Sequence, residues 1–208
     1  MKCPFKLDSV LVFVAFLILA IEIFITHNNQ SLFLTINSMH DLVPVKVWEL
    51  VNLVSYSKYM ILPILLLAIT FIWKKDKLPN VIILIAAYFV VFAVLKALFG
   101  VARPYIVLDT NSFYWLNMYE NAVKSAHKSF PSGHVGNMAV FAFAISSMFF
   151  AKSRGLQFLM LLLVIFTGIT RICTGWHWPL DVITSGLIGY LLVKICLSIQ
   201  IVKDKYKK

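Results

Sequence analysis

The chain has 208 residues, 61% of them hydrophobic and only 13% charged, with a formal net charge of +10. A soluble domain of this size is roughly half apolar, and its apolar residues fall in stripes. Here they stand in long blocks, which excludes an ordinary soluble fold, and the cations sit in short clusters between the blocks, which argues against a nucleic-acid-binding face.

A helix that crosses a bilayer needs about 20 mostly apolar residues. Six blocks approach that length: about 8–26, 52–73, 79–99, 134–151, 155–173 and 179–202. They predict an all-α, polytopic membrane protein, a six-transmembrane-helix bundle forming one domain over 1–208. Lys2 and Lys6 precede the first block as in a signal peptide. No small-x-small cleavage site follows and the apolar core is long, so an uncleaved first span is expected. The next segment, about 27–51, contains "VKVWELV". Its apolar spacing fits a short interfacial helix, and a plain connecting loop fits as well.

The basic clusters fix the expected orientation. Lys2 and Lys6, "KKDK" (74–77), Lys152 with Arg154, and the terminal "KDKYKK" all fall on one side if both termini are cytoplasmic. That is the side the positive-inside rule assigns to them. The tail then reads as a topology signal and lipid-headgroup anchor. The other side holds about 27–51, 100–133 and 174–178, with Tyr105, Phe113 and "YWLNMY" (114–119) as interfacial aromatics. Cys3, Cys173 and Cys196 are spread over both sides and predict no disulfide framework.

The remaining ionisable groups gather at the outer boundary. Lys96 ends the third block and Arg103-Pro104 follows it, in "KALFGVARP". "PSGH" (131–134) opens the fourth block, Arg171 ends the fifth, and His177 and Asp181 flank the start of the sixth. Each charge is costly inside a membrane, ~2.5–3.5 kcal/mol at a helix centre on insertion scales, so such residues mark function by default. Singly, each could be a helix-end residue reaching for water; three junctions delivering polar groups to one level point to a site.

Lys96, Arg103 and Arg171 supply three positive charges, and a guanidinium fork suits phosphate oxygens. Ser132 and Gly133 follow Pro131 at a helix start, where unpaired N–H groups and the dipole favour an anion. In "GWHWPLD" (175–181), Pro179 suits the first helical position, with Trp178 as N-cap and Asp181 third in the helix. Asp181 then either caps the helix beside an incidental His177 ring, or accepts one imidazole N–H and leaves the other nitrogen as base or nucleophile. His134, His177 and Asp181 could also ligate zinc or iron. Three neighbouring cations would repel such an ion and already provide the charge neutralisation, so no metal or other cofactor is expected.

Together, "KALFGVARP", "PSGH" and "TRICTGWHWPLD" resemble the three signatures of the type 2 phosphatidic acid phosphatase (PAP2) superfamily, over 96–181. The one departure is Thr170, where the family usually has Ser; the hydroxyl is kept. The resemblance implies that His177 takes the phosphoryl group as a phosphohistidine and that Asp181 orients it. It implies that His134 protonates the leaving oxygen and then activates water, and that Lys96, Arg103, Ser132, Gly133 and Arg171 hold the phosphate. It also implies a bacterial integral-membrane lipid phosphatase of the phosphatidylglycerophosphatase B or undecaprenyl pyrophosphate phosphatase type. Its substrate would be phosphatidylglycerol phosphate, phosphatidic acid or undecaprenyl pyrophosphate, with no obligatory protein partner. A lipid A phosphatase or phosphotransferase, or a non-catalytic lipid-phosphate binder or transporter, are the alternatives. The expected location is the cytoplasmic membrane, with the active site facing outward.

Overall fold

The computed structural model describes residues 7–116 and 125–199, with side chains from residue 13 onward. Lys2, Cys3, Lys6, the second half of "YWLNMY" and the "KDKYKK" tail lie outside the described residues. The described part is helical, without strands. In order it comprises α1 (Leu7–Thr26), α2 (Asn29–Asn37), α3 (Val45–Ser55), α4 (Ile61–Trp73), α5 (Leu78–Phe99), a single turn α6 (Pro104–Val107), α7 (Gly133–Phe149), α8 (Arg154–Cys173) and α9 (Pro179–Ser198).

Each apolar block contains one of the long helices, but six full spans is more than their lengths show. By length and apolarity three stretches can cross a membrane: Lys75–Val107, Arg154–Cys173 and Pro179–Ser198. A fourth is gained if Phe13–Thr26 and Asn29–Leu42, bent by 112°, count as one. Ile61–Trp73 and Gly133–Phe149 are shorter, about 20 and 26 Å at ~1.5 Å per residue. The block at 52–73 is also not continuous. Its first residues finish α3, a 3₁₀ turn at Ser57–Tyr59 follows, and Met60 has a left-handed φ of 57°. The reason is polar: α3 buries Trp48, Asn52 and Ser55 on one face, toward the site rather than lipid. "VKVWELV" is thus helical. α2, also within the segment at 27–51, is helical too.

α7 is the central helix, packed against α3, α4, α5, α8 and α9. Small residues allow the close approach: a Cβ at Gly136 would come 2.2 Å from Phe92 Cζ, and one at Gly189 would come 2.6 Å from Ala139 Cβ. α5 turns Val81, Leu84, Tyr88 and Phe92 inward and leaves Ile82, Val90 and Leu98 exposed. Such an apolar outer surface belongs in hydrocarbon. Inside, Asn80 Nδ2 donates to Cys196 O (2.7 Å) and Ile199 O (2.8 Å), tying the start of α5 to the end of α9.

The chain direction gives the bundle two unlike ends. Lys74, Lys75, Lys77, Lys152 and Arg154 lie at one end, between α4 and α5 and between α7 and α8. The end of α5, the start of α7, the end of α8 and the start of α9 meet at the other. Cys173 and Cys196 are both free and buried.

Candidate active site

All eight residues singled out in the sequence come to that second end. Ser132 is the N-cap of α7, Gly133 its first residue, and His134 lies in its first turn. Arg171 occupies the last turn of α8, Trp178 is the N-cap of α9, Pro179 opens it, and Asp181 is third. Lys96 stands in the last turn of α5, and Arg103 precedes the turn α6.

At the α9 junction Asp181 caps the helix and also lies beside the His177 ring. Its Oδ2 accepts the Trp178 N–H at 3.0 Å, closing the helix start. The same oxygen lies 3.5 Å from His177 Nδ1 and accepts the Ser129 hydroxyl at 2.6 Å. A carboxylate facing Nδ1 favours the tautomer with hydrogen there, leaving Nε2 with its lone pair. On that side Arg103 Nη1 lies 3.1 Å from Nε2. His177 is buried in the loop between α8 and α9. Burial first, and then the positive charges of Arg103, Arg171 and Lys96, hold its pKa well below the ordinary imidazole value. Both effects favour the neutral ring.

The cations are held by the backbone. Lys96 Nζ donates to Lys128 O (3.0 Å) and to Pro131 O, drawing the end of α5 to the loop before α7. An ammonium has three donors, so one more remains for an anion. Arg103 donates from Nε to Ser125 O (2.9 Å), from Nη1 to Trp176 O (2.7 Å) and from Nη2 to Lys128 O (3.3 Å). Arg171, 1% exposed, donates from Nη1 to Asn52 Oδ1. Trp176 stands between the two guanidiniums, its ring 5.3 Å from that of Arg103 and 5.5 Å from that of Arg171. The indole face attracts both cations. Its Nε1 donates to Leu116 O at 2.8 Å, which fixes the ring.

The start of α7 carries an unpartnered hydroxyl. Ser132 Oγ is buried and has no hydrogen-bond partner, an uncommon state for a buried hydroxyl. It stands at a helix N-terminus, where a phosphate oxygen would satisfy it. The Gly133 carbonyl accepts from Tyr88 OH at 2.8 Å, and the His134 ring stacks on Tyr56 at 5.1 Å. Among the described residues, no three His, Cys, Asp or Glu side chains come together in a way that could hold a metal ion.

Four participants were not picked out from the sequence. Ser129 lies two residues before "PSGH", and Trp176 sits inside "GWHW". Asn52 had a readable signal, a polar residue four after Trp48 on the inward face of α3. Tyr56, in the break between α3 and α4, carried none.

The arrangement joins a neutral, oriented imidazole to three cations and a helix N-terminus, which is a setting for phosphoryl transfer. Comparisons with known proteins agree. The chain is 30% identical over 182 residues to YbjG of Escherichia coli (strain K12), named provisionally as an undecaprenyl-diphosphatase, covering 84% of this chain and 82% of the relative. Among solved structures it resembles LpxE of Aquifex aeolicus, at 26% identity and a TM-score of 0.65, covering 82% of this chain and 95% of that one. It also resembles a transmembrane PAP2-type phosphatidylglycerolphosphate phosphatase from Bacillus subtilis, at 25% identity and a TM-score of 0.62, covering 94% of both chains. The model of the PAP2 superfamily matches residues 77–205, which hold every residue of the cluster but Asn52 and Tyr56. The chain is a multi-pass membrane protein that belongs to the PAP2 superfamily.

Proposed function

We propose that the protein is an integral-membrane lipid phosphatase that hydrolyses a phosphate or pyrophosphate headgroup through a phosphohistidine at His177. The observation that carries this reading is the buried His177, fixed by Asp181 on Nδ1 and faced on Nε2 by Arg103, inside a three-cation cluster.

The phosphate takes N–H groups from Arg103, Arg171 and Lys96, the Ser132 hydroxyl and the Gly133 backbone. As a phosphate oxygen takes the Arg103 Nη1 hydrogen, the Nε2 lone pair is released and attacks phosphorus. The P–N bond forms while the P–O bond to the leaving group breaks, and His134, which takes up a proton as the anionic phosphate binds, delivers it to the departing oxygen. In the second step water attacks the phosphohistidine and His134 takes its proton. The P–N electrons return to Nε2 and phosphate departs. The cations carry the developing charge, so the reaction needs no metal ion.

A lipid substrate fits the placement. The cluster lies at one end of a bundle whose flanks are exposed and apolar, so hydrocarbon tails remain in the bilayer while the headgroup reaches His177. The Escherichia coli and Bacillus subtilis relatives are named for undecaprenyl diphosphate and phosphatidylglycerol phosphate. These two and phosphatidic acid are the substrates we assign. The basic end of the bundle faces the cytoplasm under the positive-inside rule. The site then faces outward, and an inverted bundle would contradict that orientation.

The test is phosphate release by purified protein in excess EDTA, from phosphatidylglycerol phosphate, phosphatidic acid, undecaprenyl pyrophosphate and a lipid A phosphate. Release from one of the first three is expected. No release from any, or release only after Mg²⁺ or Zn²⁺ is restored, contradicts the reading.

A further inference from the structure

A cavity of about 590 Å³ lies between α1, α8 and α9 with α7 as its floor, within the roughly 300–1,000 Å³ of specific ligand sites. It follows α8 from Ile172, at the level of the phosphate cluster, to Arg154 at the opposite end. No residue of the phosphate cluster lines it. Its walls are apolar, formed by residues such as Phe16, Phe143, Leu161 and Val182. Leu19 and Phe158 at its rim are 40% and 60% exposed, so it opens sideways toward hydrocarbon.

Its polar residues gather at the basic end: Arg154, Gln157, Ser146 and Tyr190. Lys194 does not line the cavity, but its Nζ lies 5.9 Å from the ring of Tyr190, which does. Gly186 supplies a separate observation. Gly168 and Gly189 are required by packing, since a Cβ there would come 2.4 Å from Val182 Cγ1 and 2.6 Å from Ala139 Cβ. A Cβ at Gly186 would meet only Val164 Cγ1, at 3.8 Å. Helix packing does not demand this glycine, although it weakens a helix by about 1 kcal/mol relative to Ala. What its missing side chain does is keep the cavity open. Val164 stands about 15 Å along α8 from Arg154 at ~1.5 Å per residue, the reach of one leaflet of a ~30 Å core.

We propose that this cavity binds an anionic phospholipid, its headgroup phosphate against Arg154 and Lys194 and an acyl chain lying along α8 as far as Gly186. This lipid is distinct from a substrate, because its phosphate sits at the end of the bundle away from His177. The proposal stands whether or not the phosphatase reading does.

The test is native mass spectrometry of the full-length protein, released from detergent with phosphatidylglycerol or phosphatidylethanolamine. Phosphatidylglycerol carries only a phosphodiester, so it probes binding without turnover. The protein should retain one phosphatidylglycerol, favoured about tenfold over phosphatidylethanolamine, from two cations near one phosphate. Gly186→Phe should weaken retention of either lipid about tenfold, the equivalent of two methylenes displaced. The paired surface changes Arg154→Gln and Lys194→Gln leave the core intact and should abolish the preference for phosphatidylglycerol while chain binding persists. Equal retention of the two lipids by the unaltered protein would overturn the proposal. So would a paired variant that keeps the preference, or a dimer lost on Gly186→Phe with no lipid bound, which would assign the cavity to a second copy of the chain.

Discussion

One carboxylate oxygen, Asp181 Oδ2, holds the start of α9, the Ser129 hydroxyl and the Nδ1 side of His177. Helix capping and the approach to His177 therefore share one oxygen, which ties the ring to the helix end beneath it. The lowered pKa of His177 has a measurable consequence. In the unfolded chain an imidazole takes a proton near pH ~6.5. In the folded protein burial and the neighbouring cations resist that proton. Above pH ~6.5 neither state is protonated there, so the group's contribution is constant. As pH falls below ~6.5 the unfolded state binds the proton first, and stability declines until the lower folded value is reached. A ¹⁵N titration of the five histidines, with His177→Ala identifying the resonance, should place its midpoint below 6.5. A midpoint at or above that value would remove the basis for a neutral nucleophile.

Helix contacts set how far the sites can shift. Gly189→Leu pushes a side chain from α9 into Ala139 and the Val140 backbone on α7, neither of which can give way. It should cost about 1–3 kcal/mol in a denaturation experiment. Gly186→Ala, three residues earlier, meets only ordinary contact and should hold or gain stability. Equal losses at both positions would contradict the packing described. The sequence exposed a good deal at this scale and hid some of it for physical reasons. Apolar blocks marked each long helix, and Pro179 with Asp181 marked the start of α9. The break after Ser55 did have a local signal, since Asn52, Ser55, Ser57 and Lys58 interrupt the block at 52–73. α2 stayed hidden because its purpose is long-range. Asn37 Nδ2 donates to Tyr114 O (2.9 Å), Ile172 O (2.9 Å) and Cys173 O (3.1 Å), and its Oδ1 accepts from Tyr114 N (2.8 Å). Such bonds have no local pattern. Ser129 and Trp176 likewise gain their roles only when α5, α7, α8 and α9 converge.

At the scale of the whole molecule, chemistry is divided between the two ends: cations in open loops at one, cations enclosed around His177 at the other. The proposed sidedness rests on that division and can be tested by labelling. With Cys3, Cys173 and Cys196 replaced by Ser, Asn111→Cys in the exposed segment after α6 should react with an impermeant maleimide added to intact cells, and Lys152→Cys should not. Cys173 itself is 1% exposed and cannot report. The reverse labelling would move the site to the cytoplasmic face. The central claim, that a phosphoryl group passes through His177, has a direct measurement. The protein is mixed with ³²P-labelled lipid phosphate, quenched within milliseconds, and its peptides are mapped for acid-labile, base-stable label. The account predicts label on the peptide carrying His177, absent in His177→Ala and slow to discharge in His134→Ala. Full turnover by His177→Ala, or label on any other side chain, would contradict it.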